Sequence, residues 1–333
     1  MKVFHKTMAA AGLCISMALA VTGCGSKTVD GSQIAATVGE KEMKLGEANF
    51  LLRYQQAQTE TYYESMLGEG IYNKDLYGDG TTFGQNFKED VMSQMQEYYI
   101  LEQKAADYGV TLTEEETAKI TDAAKAFLEA NDAETEKQMT ADQETVERVL
   151  TLMTLSSKVR SAVYEEANVT VTDEEAAQRG FSYVSVYKGS GDEALTGEDL
   201  QKKKEALSAM AEKVKGGVTL DNAAVEGEMS AQEGNYGKEG SSYEEALVQA
   251  LDGLKEGEVT DVIETENYLY LAQLTKELDK KATAEKKAEL EKSRQLEYYN
   301  ELLETWRSEL ALTVDEAVWD QVVFDRSYQL KQK

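Results

Sequence analysis

The sequence predicts an α+β chain: helical segments at both ends, with a block of strands and short helices between them. Three observations predict it. Apolar residues recur in steps of three and four through the first half, the period changes to two near Phe181, and the helical period returns from Ala282. A length of 333 residues suits roughly two domains at about 150 residues each. Apolar residues make up 41% of the chain, enough for real cores.

The N-terminus carries Lys2 and Lys6, then an apolar run from Met8 to Val21, then small residues before Cys24. A charged start, a short apolar stretch and a small residue at the cut read as an export signal over residues 1–23. The run Leu19-Ala20-Val21-Thr22-Gly23-Cys24 resembles a bacterial lipoprotein processing site, with Cys24 as the lipidated (palmitate-type) residue. Two acyl chains suffice for stable anchoring. The expected location is therefore the extracytoplasmic face of the cell membrane, with residues 24–33 as a linker. Cys14 leaves with the signal, so no disulfide forms within the mature body.

Residues 47–160 then read as helical. One stripe holds Met92, Met95, Tyr99 and Leu101; the next holds Ile120, Ala124, Phe127 and Leu128. Thr113 with Glu116 has the spacing of a capping box. Val146, Val149, Leu150, Met153, Val159 and Val163 continue the pattern. Residues 67–84, rich in glycine, read as a long loop. In the second block Phe181, Tyr183 and Tyr187 alternate with Ser182, Val184 and Val186, a strand signal. A helix over 199–214 follows, ended by Gly216-Gly217. After a turn-rich stretch come a short helix over 243–251 and strands at Val262-Ile263 and 268–274. The third block, residues 282–310, places Leu296, Tyr299, Leu303, Trp306 and Leu310 on one stripe of a long helix.

Charge and composition exclude much. With 62 Asp+Glu against 35 Lys+Arg the net charge is −27, and two units more negative without Lys2 and Lys6. No basic stripe offsets phosphate repulsion, so nucleic acid is excluded as a partner. Clients with basic segments would arrive faster. Beyond residue 23 there is no histidine and no proline, which rules out a Ser-His triad and a histidine-ligated zinc. Asn73, Asp75 and Asp79 hint at calcium but lack the EF-hand spacing. No cofactor and no metal are expected.

This arrangement resembles the PrsA/SurA-type foldases, exported chaperones carrying a parvulin-like peptidyl-prolyl isomerase domain. Residues 254–265, Leu-Lys-Glu-Gly-Glu-Val-Thr-Asp-Val-Ile-Glu-Thr, are similar to the parvulin stretch "LKxGExSxxxxT". Residues 211–224 look like its "A…G..F..LA" segment, and Gly234-Asn235-Tyr236-Gly237 sits where the family has a "GGxLG" turn. Val38-Gly39-Glu40-Lys41-Glu42-Met43 is similar to the "VNGxxI" start of the N-terminal chaperone region. The resemblance implies a helical chaperone domain over 34–177 plus 279–333 and a parvulin-like domain over 178–278.

Active members of the family resemble one another in two histidines above a hydrophobic proline pocket. Here Tyr183 stands at the first histidine position and Leu269 at the second, while the acidic or thiol position falls near 230–232. The pocket residues map near Tyr243 and Leu247. Tyr183, Tyr243, Leu247 and Leu269 are thus the expected substrate-binding residues, and none is assigned a catalytic role. An isomerase must hold the twisted amide better than the planar one, against a barrier of ~18–20 kcal/mol. Leu269 can donate no hydrogen bond, so weak or absent isomerase activity is expected.

The resemblance then implies binding of unfolded or partly folded exported proteins, with a homodimer left open. Tyrosine outnumbers phenylalanine 18 to 7. Tyr54, Tyr62, Tyr63, Tyr98 and Tyr99, with Met66, Met92 and Met95, form either a client surface or ordinary helix packing. Two alternatives stand beside this reading. One is an active isomerase; the other is a solute-binding lipoprotein, which needs two lobes of repeated strand-helix alternation.

Overall fold

The computed structural model describes residues 18–22, 28–68, 70–189, 194–195, 197–238 and 241–331. Lys2, Lys6 and the expected lipidation site Cys24 lie outside the described residues. In chain order the first elements are strands β1 (Leu19–Thr22), β2 (Ile34–Val38) and β3 (Lys41–Lys44), followed by helices α1 (Leu45–Leu67), α2 (Phe83–Lys104), α3 (Glu114–Ala130), α4 (Ala133–Met139) and α5 (Gln143–Glu166). Next come β4 (Gln178–Tyr187), α6 (Gly197–Lys215), α7 (Leu220–Glu226), β5 (Gln232–Gly237), α8 (Glu245–Asp252), β6 (Ile263–Glu264) and β7 (Tyr268–Lys276). The chain ends with α9 (Lys280–Glu309), β8 (Leu312–Val314), α10 (Glu316–Trp319) and β9 (Ser327–Leu330). Two compact units result: Met1–Ala167 with Glu297–Lys333, and Asn168–Leu296.

The first unit is mostly helical, and both ends of the chain enter its core. The stripes read from the sequence are buried: Met95, Tyr99, Phe127, Val149 and Leu150 share one core with Trp306. Leu296 departs from this, at 47% exposed, because α9 joins that core only from its later turns, with Tyr299, Leu303 and Trp306. The capping box at Thr113 and Glu116 is present, each side chain accepting from the other residue's amide. The 67–84 stretch is shorter as a loop than its glycines suggest. A second capping box, Thr82 with Gln85, starts α2 at Phe83. Gly84 is required there, since a Cβ would sit 2.5 Å from the Tyr72 carbonyl oxygen and 2.8 Å from the Phe324 ring.

Two small antiparallel sheets tie the termini of this unit. In the order β3-β2-β8, a hairpin turns at Gly39 (φ +60°), and β2 pairs with β8 so that Thr37 faces Thr313, their hydroxyls 2.7 Å apart. In the other sheet β1 pairs with β9. The stretch Leu19–Thr22, read as the end of an export signal, is thus a strand of this unit.

The second unit is a four-stranded antiparallel sheet in the order β5-β4-β7-β6. Strand alternation divides its two faces. One carries Val184, Leu269 and Leu271 against Leu207 and Met210 of α6 and Leu220 of α7. The other carries Phe181, Tyr236, Tyr270 and Leu274 against Leu247 and Leu251 of α8. The turn-rich stretch of the sequence contains α7 and β5. The motif 254–265 turns at Gly257 (φ +90°) and runs beside β7, where the Ala272 amide donates to Thr260 Oγ1 at 3.1 Å. All pairing among the described strands is antiparallel, which gives no support to two solute-binding α/β lobes.

Asp279 caps α9: its Oδ1 accepts the Lys281 and Ala282 amides at 3.0 and 3.1 Å, and its Oδ2 pairs with Lys276 Nζ at 2.6 Å. The Lys276 ammonium first, then these amides, hold the carboxyl down to about 2. A folded-state value below the unfolded one of about 3.9 means a contribution present above pH ~4 and lost as pH falls toward 2. Asp279→Ala should lower stability by about 1 kcal/mol at pH 7. The gap to the native chain should narrow steadily as pH falls from 4 to 2 in urea unfolding followed by circular dichroism.

Candidate functional site

The site is the tyrosine-bearing face of the second unit's sheet. Strand β4 places Phe181 and Tyr183 on it, β7 adds Tyr268 and Tyr270, and Tyr243 arrives from the segment before α8. The rings form a continuous set. Phe181 and Tyr243 meet edge-on at 4.9 Å between centroids, Tyr183 and Tyr243 at 5.7 Å, and Tyr183 lies 6.3 Å from Tyr270. Tyr268 continues the row to Tyr270 at 5.5 Å and to the exposed Tyr187 at 5.2 Å. Such spacings suit aromatic pairs. Tyr183, Tyr243 and Tyr268 are half-buried, so their ring surfaces are partly open to solvent.

Two of the hydroxyls on this face donate. Tyr183 Oη donates to Gln232 Oε1 at 2.6 Å and Tyr270 Oη to Glu244 Oε1 at 3.1 Å. Burial pushes the Tyr243 and Tyr270 phenols above their ordinary value. The neighbouring Tyr236 is pushed up to about 12, chiefly by burial. Its hydroxyl accepts from Arg179 Nη1 at 2.9 Å, and the same guanidinium caps the end of α8 by donating to the Leu251 and Leu254 carbonyls. The face therefore offers neutral phenols and flat aromatic area.

Of the expected residues, Tyr183 and Tyr243 come together. Leu247 lies beneath them, fully buried, and fills the cluster from the α8 side instead of lining an open slot. Leu269 is a correction. It is fully buried on the opposite face, in register with Val186, because successive strand residues point to opposite sides. The β7 residues that share Tyr183's face are Tyr268 and Tyr270. The signal was present in Tyr268-Leu269-Tyr270-Leu271, where tyrosine and leucine alternate. Gln232 occupies the expected acidic or thiol region and accepts the Tyr183 hydroxyl's hydrogen bond.

The helical unit supplies less surface than its composition suggests. Tyr98, Tyr99, Met92 and Met95 are buried, and Tyr54 is half-buried against the same core. Tyr62 and Met66, four residues apart on α1, are 71% and 74% exposed. The side chain of Tyr63 lies outside the described residues. The Asp75 carboxylate accepts the amides of Tyr77, Gly78 and Gly80, and Asp79 accepts from Thr81, so both acids serve their own loop. Among the described residues no group of three His, Cys, Asp or Glu is placed to hold a metal. No described helix is long and apolar enough to cross a membrane.

Comparison with known proteins bears on the first unit. Residues 2–141 match the family described as the SurA-like N-terminal domain. This bears out the resemblance read from the sequence for the N-terminal chaperone region. Solved structures similar to the chain include the foldase protein PrsA from Streptococcus pneumoniae, at 18% identity over 75% of this chain and 99% of that one, with a TM-score of 0.32. The peptidylprolyl isomerase PrsA from Bacillus cereus is similar at 14% identity over 88% and 98%, TM-score 0.32. A SurA-like chaperone of Campylobacter jejuni is similar at 10% identity over 84% and 98%, TM-score 0.30. No curated protein matches the chain.

Gly234 lets the aromatic face close. A Cβ there would clash with the Tyr243 hydroxyl and lie 2.7 Å from the Phe181 ring. Gly234→Ala should cost about 1–3 kcal/mol, as overpacking does. In the Tyr243→Phe background the loss should shrink but not vanish, since the Phe181 ring remains. Urea unfolding of the four chains checks both statements.

Proposed function

We propose that the protein is a lipid-tethered extracytoplasmic chaperone for unfolded exported proteins, whose sheet unit has kept the parvulin-like scaffold without its catalysis. The observation that carries the reading is the SurA-like match of residues 2–141. The tyrosine face supports the second part: a neutral, aromatic, partly open surface can hold apolar segments, and prolyl rings stack well on such rings. It has no imidazole to aim at a twisting amide, and electrostatic aim at the altered carbonyl is where such catalysis is gained. Lys2, Lys6, the apolar run to Val21 and Cys24 support the tether.

The processed chain, starting at Cys24 with Cys24→Ser to block acylation, should suppress aggregation of a chemically unfolded client in a light-scattering assay. No protection at molar excess sinks the chaperone reading. On a prolyl tetrapeptide the same chain should leave the cis-to-trans rate within about twofold of the uncatalysed one. Acceleration on the scale of an active parvulin would favour the isomerase reading instead. Because Tyr183 and Tyr270 share a face, Tyr183→His with Tyr270→His is the pair in which to seek rescue. In cells, labelled palmitate should enter the native chain and not Cys24→Ala.

A further inference from the structure

Strand β1 fills a place in the helical unit that it would leave on processing. Its partner β9 uses one edge on α1, where the Tyr328 amide donates to Glu60 Oε2 at 2.6 Å and the Leu330 amide to Thr61 Oγ1 at 2.8 Å. By strand alternation the other edge faces β1, and the Lys331 amide donates to the Ala18 carbonyl at 2.7 Å. The pairing is antiparallel, with Leu19 opposite Leu330 and Val21 opposite Tyr328. On the far side of β1 the Leu19 amide donates to Asn131 Oδ1 at 2.8 Å, and Asn131 is itself fixed by donating to the Phe127 carbonyl at 2.7 Å. The Leu19 side chain is 1% exposed within the helical core.

The slot therefore reads an extended backbone on both edges and one apolar side chain, the way a sheet edge takes up a peptide strand. Cleavage before Cys24 removes Leu19–Thr22 and leaves the β9 edge unpaired beside a leucine-sized hole. The processed N-terminus cannot refill it. Residues 24–28 carry no large apolar side chain, while Val29 already packs on the core and Asp30 is turned to Ser32.

We propose that in the processed protein this slot binds an extended segment of an unfolded exported polypeptide, with an apolar side chain in the place of Leu19. The inference rests on the chaperone reading and on removal of residues 1–23. Its occupant here, Ala18-Leu19-Ala20-Val21-Thr22, is uncharged and sequence-plain, the chemistry that an unfolded chain presents and a folded surface hides.

The probe is a capped, fluorescent peptide reproducing residues 18–23, added to the processed Cys24→Ser chain after its fold has been verified by circular dichroism. Saturable binding in the micromolar range is expected, with amide exchange slowed at residues 327–331. A peptide with Leu19→Asp should bind at least ~10-fold more weakly, and Asn131→Ala should weaken the native peptide several-fold. Absence of saturable binding overturns the proposal, as does equal binding of the aspartate peptide. So does recovery of the membrane-bound chain with residues 1–23 intact. A processed chain that protects a client yet ignores the peptide sinks the slot and leaves the chaperone reading standing; one that protects no client sinks that reading itself.

Discussion

The helical unit depends on a row of polar side chains buried along α1. Arg53, Gln56 and Glu60 are at most 7% exposed, and what they bind is not another helix but the backbone of the C-terminal segment. Arg53 Nη2 donates to the Val323 carbonyl and Gln56 Nε2 to the Arg326 carbonyl, both at 2.8 Å, while Glu60 accepts the Ser327 hydroxyl and the Tyr328 amide. Arg53 Nη1 and Gln56 Nε2 complete the row among themselves. The Arg53 guanidinium also lies over the Phe324 and Tyr328 rings, at 5.8 and 5.3 Å. Buried polar groups are costly unless paired, and in this row Arg53 Nε is left without a hydrogen bond. Each member here is stable because the tail is present, and the tail is ordered because they are. Without that row the inner edge of β9 keeps the Leu330 amide's bond to Thr61 Oγ1 but loses those that hold residues 323–328.

Both terminal segments of the described chain enter one core. Strand β8 joins β2, and α9 brings Tyr299 and Trp306 among side chains from α2 and α5. Tyr299 Oη and Arg160 both meet the Glu97 carboxylate at 2.5 Å, so the packing of α9 is locked by a charge network as well as by area. A helical domain assembled from distant segments needs such locks, because chain connectivity supplies none.

Much of this was legible in the sequence, and the exceptions have physical causes. The stripes of α2, α3 and α5 obey the helical period and are buried, and Thr113 with Glu116 announces its cap. The row Arg53, Gln56 and Glu60 also has helical spacing, but polar residues at that spacing read as a solvent face; only an extended tail with backbone groups to satisfy reverses the reading. Strand β5 was hidden because Gln-Glu-Gly-Asn-Tyr-Gly is an edge strand with one buried side chain, Tyr236, and a glycine pressed by rings. At the candidate site, motif similarity pointed to β4 and β7, and strand register decides which of their residues share a face. A shift of one moves a side chain through the sheet, which is why Leu269 belongs to the core and Tyr270 to the face.

The two binding features proposed here share a property that bears on how such a protein could serve many clients. Neither contains an ion-pairing group at its centre: the slot uses backbone edges and a hole, and the tyrosine face uses ring area with neutral hydroxyls. Contacts of this kind discriminate extended from folded chain far more than one sequence from another. Charge sits elsewhere, in the excess of Asp and Glu that gives the chain its net −27. Long-range charge governs the rate of encounter more than the strength of grip, and it is screened within about 8–10 Å at physiological salt. Selection for basic clients would then act on arrival, whereas release would be governed by contacts that folding of the client itself withdraws. On the chaperone reading proposed above, the client's own burial of apolar residues would end the complex.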